Sequence, residues 1–115
     1  MDVAVEVYKV SLLLPIDEKF NLIHQIKKCA VSIPSNIAEG SGRNSNKEFI
    51  QFLYISKASC GETRSQLYRV LDRKFISNEK FEILKEKTVV LSKKIGGFIT
   101  YLENSDFKGS KCKNR

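Results

Sequence analysis

The chain has no tryptophan, one methionine, one histidine, two prolines and six glycines in 115 residues. So few breakers leave room for long helices and disfavour a fold that turns many times, as a β-sandwich or barrel does. The cysteines, at positions 29, 60 and 112, are odd in number and lack C-x-x-C spacing. That pattern suits neither a disulfide framework nor a thiolate metal site, and it fits a reducing cytoplasm. Nothing approaches the roughly 18 uninterrupted apolar residues that a membrane helix requires, so no membrane partner is expected. Asp2 and Glu6 precede any basic stretch, which is unlike a secretory leader.

What remains is ordinary for a globular chain of one domain: 42% hydrophobic and 29% charged residues. The formal net charge is +7, and an excess of cations favours anionic partners. Its distribution is uneven. Residues 107–115 hold Lys108, Lys111, Lys113 and Arg115 without an acid, so this tail supplies +4 and leaves +3 to the body.

Apolar residues recur at helical spacing in four stretches. Val3, Val7, Val10 and Leu14 mark a first helix over residues 2–14, ended by Pro15. Asp17 is placed to cap a second, whose face is Ile23, Ile26, Ala30, Ile33 and Ile37. Pro34 falls inside that pattern and predicts a kink rather than a stop, with Gly40 as a left-handed residue closing the helix. Ser45-Asn46-Lys47-Glu48 reads as a capping box opening a third helix, which runs to about Lys74 on Phe49, Leu53, Ser56, Cys60, Thr63, Leu67 and Val70. Ser77 caps a fourth, with Phe81, Leu84, Thr88, Leu91, Ile95, Phe98 and Leu102 in regular steps of three and four. Gly96-Gly97 on this helix predicts a close packing contact. The pattern is lost after Asn104. The expected architecture is all-α: an antiparallel up-down-up-down four-helix bundle over residues 1–104 with a flexible basic tail at 105–115.

The stretch from Phe49 to Ile55 is apolar at six of seven positions, which is more than one helix face. A surface helix should be polar on its outer side, so Phe49, Ile50, Phe52 and Tyr54 are assigned to a contact between copies of the chain. The alternative is that the loop at residues 40–46 covers the surplus face.

Catalytic chemistry is hard to assemble. Asn21, not Glu, stands three before His24, so the Glu-x-x-His of di-metal bundles is absent and no metal site is expected. Cys29 and Cys60 read as small packed residues. Gly40-Ser41-Gly42 lacks the continuation of a phosphate-binding glycine loop, so no cofactor is expected. The basic residues are the functional candidates. Lys27 and Lys28 lie off the apolar face, and Arg43 and Lys47 stand at the start of the third helix, where free amides and the dipole favour an anion. No basic motif interleaved with aromatics stands out, and sequence-specific base reading has no support.

One run is distinctive: Lys28-Cys29-Ala30-Val31-Ser32-Ile33-Pro34-Ser35-Asn36-Ile37-Ala38-Glu39-Gly40, continued by Gly42-Arg43, Ser45, Lys47-Glu48-Phe49 and Phe52-Leu53. It resembles the bacterial four-helix-bundle proteins encoded in intervening sequences of 23S rRNA genes, relatives of which include the accessory variability proteins of diversity-generating retroelements. The resemblance implies a bundle assembling into a homo-oligomeric ring, commonly a homopentamer. For the retroelement relatives it also implies a basic surface that binds nucleic acid and a partner reverse transcriptase. The family's tryptophan-bearing leader has no counterpart here, and its Arg-Arg-Ala is Lys27-Lys28-Cys29, which keeps the charge but loses the guanidinium fork. On physical grounds Pro34, Ser35, Asn36, Glu39 and Gly40 fix the turn between the second and third helices. The combined expectation is a cytoplasmic, non-catalytic oligomer that binds RNA without sequence preference. The alternative is an adaptor docking a protein partner.

Overall fold

The computed structural model describes the backbone of residues 14–113 and the side chains of residues 18–105. The described chain is all-helical: α1 (Leu14–Ser41), α2 (Asn46–Asp72) and α3 (Asn78–Lys113). The first helix expected at residues 2–14 lies outside the described residues, apart from Leu14.

α1 begins at Leu14, three residues ahead of the expected cap at Asp17. Pro15 therefore opens this helix, where its missing amide is one that the first turn leaves unpaired anyway. Asp17 stands in the first turn, near the positive end of the dipole. The helix passes through Pro34 and ends at Ser41. Gly40 is still helical, and no glycine among the described residues has a positive φ. This corrects the left-handed assignment. A Cβ at position 40 would lie 2.7 Å from Phe52 Cβ and 2.8 Å from Phe49 Cδ1. The residue is small so that α2 can approach, not so that the chain can turn.

α2 starts as its sequence predicts. Ser45 has extended dihedrals, and its hydroxyl accepts the amide of Glu48 at 3.2 Å. At the other end Lys74 holds φ = 59°, the one left-handed non-glycine residue described. Around it the Phe75 amide donates to Val70 O at 3.0 Å and the Lys74 amide to Leu71 O at 2.8 Å. These are the backward bonds of a helix end that ordinarily carries glycine. Ser77 then caps α3, accepting the Lys80 amide at 3.1 Å. α3 runs on to Lys113, past Asn104 where the apolar period stops. Losing the period removes a packing face without removing the capacity to stay helical.

Neighbouring helices are antiparallel. Ser32 faces Ser59 and Glu18 meets Arg73 across α1 and α2, while Phe49 meets Phe98 and Tyr68 meets Phe81 across α2 and α3. The core is Ile33, Leu53, Cys60, Ile95, Ile99 and Leu102. On α3 the buried step is Ile95–Ile99–Leu102, and Phe98, expected on that face, is 39% exposed. Gly97 has open space around it and Gly96 has only the end of Lys57 beside it, so no helix packs closely on the glycine pair.

α1 packs on α2 and α2 on α3, but α1 and α3 do not pack on each other. The result is a single layer, 69 × 40 × 15 Å, with a radius of gyration of 19.7 Å. A compact chain of this length has a radius near 13 Å. The described helices therefore form an open three-helix layer, and the fourth helix of the expected bundle lies outside the described residues. An apolar period shows that a face is buried in the finished structure, and not which element buries it.

Candidate nucleic-acid interface

The α1–α2 contact around Pro34 is held by hydroxyls. Ser32 Oγ and Ser59 Oγ are 2.8 Å apart, and the buried Ser56 hydroxyl donates to Ile33 O at 2.8 Å. Asn36 Nδ2 donates to Ser32 O at 2.7 Å and to Ser32 Oγ at 2.9 Å. Asn36 thus holds the Ser32 hydroxyl towards α2, whereas Ser35 is exposed. Ser32 was not singled out as a contact by the sequence, because it stands beside the apolar face of α1 rather than on it.

At the far end of α1, Glu39 Oε1 accepts from Arg43 Nη2 at 2.6 Å, and the Arg43 guanidinium lies 4.9 Å over the Phe52 ring. Arg43 is thus already engaged by a carboxylate and an aromatic face. Lys47 is exposed in the first turn of α2. Lys27 and Lys28 are exposed near the middle of α1, and about 20 Å of helix separates Lys28 from the end of α1 at Ser41, just before Arg43. The four candidates therefore form two pairs, not one patch. Arg64 Nε donates to Thr88 Oγ1 at 3.1 Å, and Arg73 is bonded to Glu18 at 2.6 Å, so both serve helix contacts.

The apolar stretch of α2 is largely used within the chain. Leu53 is 1% exposed, Phe49 and Ile50 pack against the core, and Phe52 lies beneath Gly40 and Arg43. Tyr54 keeps half its surface and donates to Glu103 Oε1 at 3.4 Å.

Between α1 and α3, over α2, runs an apolar groove of about 390 Å³. Ile26, Ala30, Thr63, Leu67, Leu84 and Leu91 line it, with Lys27 and Lys87 among its borders. Among the described residues no three His, Cys, Asp or Glu side chains converge as metal ligands. Burial, then the hydrogen bond and charge of Glu62, push the Cys29 thiol up, and burial pushes up Cys60, so both stay protonated and weakly nucleophilic near neutral pH. Glu82 first, then Tyr68, hold Lys85 above its ordinary value, with its Nζ 5.5 Å from the Phe81 ring centroid.

The family model of the 23S rRNA-intervening sequence protein matches residues 1–97. The chain belongs to this family. As a 23S rRNA-intervening sequence protein it carries the distinctive run across Pro34 as a helix–helix joint, built of Ser32, Asn36, Gly40 and their α2 partners. No match is found among curated proteins. No helix among the described residues is long and apolar enough to cross a membrane.

Proposed function

We propose that this 23S rRNA-intervening sequence protein is a non-catalytic, cytoplasmic assembly protein that self-associates in a ring and holds RNA, without reading its sequence, on the pooled cationic surface. The reading rests on one observation: the chain carries +7, and Lys27, Lys28 and Lys47 are exposed with no ion-pair partner among the described residues. Assembly strengthens the effect, because several weak cationic faces on one ring bind a strand with avidity that one copy lacks. The homopentamer that the resemblance implies is the stoichiometry to test.

A second reading has its own support. The groove between α1 and α3 is apolar, open and bordered by lysines, which suits an amphipathic helix of a protein partner. In that case the chain is an adaptor with no direct role on nucleic acid.

The deciding experiment is a titration against labelled single-stranded RNA at about 50 and 200 mM salt, with the mass in solution measured in parallel. An oligomer that binds at micromolar or tighter concentration, and loses affinity steeply with salt, supports the first reading. An oligomer that ignores RNA at low salt refutes it and leaves the adaptor.

A further inference from the structure

α3 carries a second period besides its core face. Lys80, Lys87 and Lys94 recur every seven residues, all exposed, and the same stripe continues through Phe98 to Tyr101. Seven residues are close to two turns, so these side chains stand above one another along about 31 Å of helix. No carboxylate among the described residues forms an ion pair with any of the three lysines. Between Lys87 and Lys94 lies a shallow pocket of about 240 Å³ that includes Val90 and Leu91, with Glu86 the one acid on its border. At the end of the stripe the Phe98 and Tyr101 rings lie parallel, 10° apart in plane and 6.1 Å between centroids. Phe49 meets Phe98 edge-on at 5.4 Å and fixes its plane, while Tyr101 is 62% exposed.

Building on the nucleic-acid reading above, we propose that this stripe of α3 is the track for a single strand. Lys87 and Lys94 take backbone phosphates, an apolar edge enters the pocket between them, and a base stacks on Tyr101. Flat exposed rings in line with cations are how proteins hold unpaired nucleic acid without sequence preference. A duplex keeps its base faces stacked inside and offers nothing to Tyr101. An acidic helix would satisfy the lysines but would leave the parallel rings without a reason.

The test uses the full chain and labelled oligouridine roughly 15 nucleotides long. Tyr101→Ala is expected to weaken binding about 5- to 100-fold with the salt dependence unchanged, since stacking displaces no counterion. Tyr101→Phe is expected to keep the affinity. Lys87→Gln with Lys94→Gln is expected to lower the slope of log affinity against log salt by about 1.4, or about 0.7 per lost contact. The chain has four tyrosines and no tryptophan, so its emission reports stacking directly, and RNA should quench it less in Tyr101→Phe. All these positions are exposed, and unchanged melting curves confirm that the variants fold. If oligouridine binding survives these substitutions and is lost in a Lys27, Lys28, Arg43 and Lys47 quadruple Gln variant, the nucleic-acid reading stands and the α3 track is refuted. If the unaltered protein binds no RNA, both fall. If the α3 variants change the mass in solution and not the affinity, the stripe is a contact between proteins and the proposal is overturned.

Discussion

Lys74 and Gly40 each stand where chemistry alone would not put them. Lys74 closes α2 at φ = 59°, a conformation that brings Cβ against the following carbonyl and costs roughly 1 kcal/mol in any residue but glycine. Lys74→Gly is therefore expected to stabilise the fold by up to about 1 kcal/mol, less the added freedom of the unfolded chain, in urea unfolding. The apolar period places this end near Lys74, but nothing signals its left-handed closure, since Asp72-Arg73-Lys74-Phe75 contains neither Gly nor Asn. Gly40 is the converse case. It was visible as punctuation, and its role was misread, because a glycine required for close packing and one required for a left-handed turn look identical in a sequence. Gly40→Ala is expected to destabilise by about 1–3 kcal/mol, since both nearest atoms, Phe52 Cβ and Phe49 Cδ1, are held in a packed contact. A left-handed glycine would also resist alanine; a loss that shortening Phe49 to Ala does not relieve at all is the outcome that would restore that reading.

Among the elements, α2 was the most legible. Leu53, Ser56, Cys60, Thr63, Leu67 and Val70 were all expected on its inner face and all are buried. It packs on both sides, so its period reports two neighbours that agree. Among the described residues α1 packs on one side only. Of the face predicted for it, Ile33 is buried, Ile23, Ile26 and Ile37 are half-buried and Ala30 is exposed, while Leu22 is buried instead. The period marked the side that borders the groove as well as the side that meets α2, and a sequence does not separate the two. Within this pair the hydroxyls set the register. Sliding α1 by one turn would separate Ser32 from Ser59 and Ile33 O from the Ser56 hydroxyl. Asn36→Ala is expected to cost about 1 kcal/mol, and Ser56→Ala about 0.5–1.5 kcal/mol. Asn36 and Ser56 meet on neighbouring carbonyls of one network, so the double variant should depart from additivity. Strict additivity in chemical denaturation would show that the two bonds are independent and not one register device.

In the molecule as a whole, the three described helices and their order were readable, and their open arrangement was not. Period, caps and breakers are local quantities, whereas the lack of any α1–α3 contact is a property of three elements together. Of the candidate site, the cations on α1 were legible as charge. The track on α3 was written in the sequence too, at intervals of seven, but a heptad of lysines becomes visible only once the core face has been located and set aside. The single layer has a further consequence, for how the chain comes apart. Among the described residues α2 is a spine, and α1 and α3 hang from opposite sides of it with no contact between them. Either one can detach while the other stays docked, so opening is expected in two independent units rather than one. Native-state hydrogen exchange should then show amides of α1 and of α3 exchanging with different denaturant dependences. Those of α2 near Leu53 and Cys60 should be the slowest, released only when both neighbours have left. A single exchange class over all three helices would mean that another element bridges α1 and α3 in solution, and that in the working protein the book is held shut.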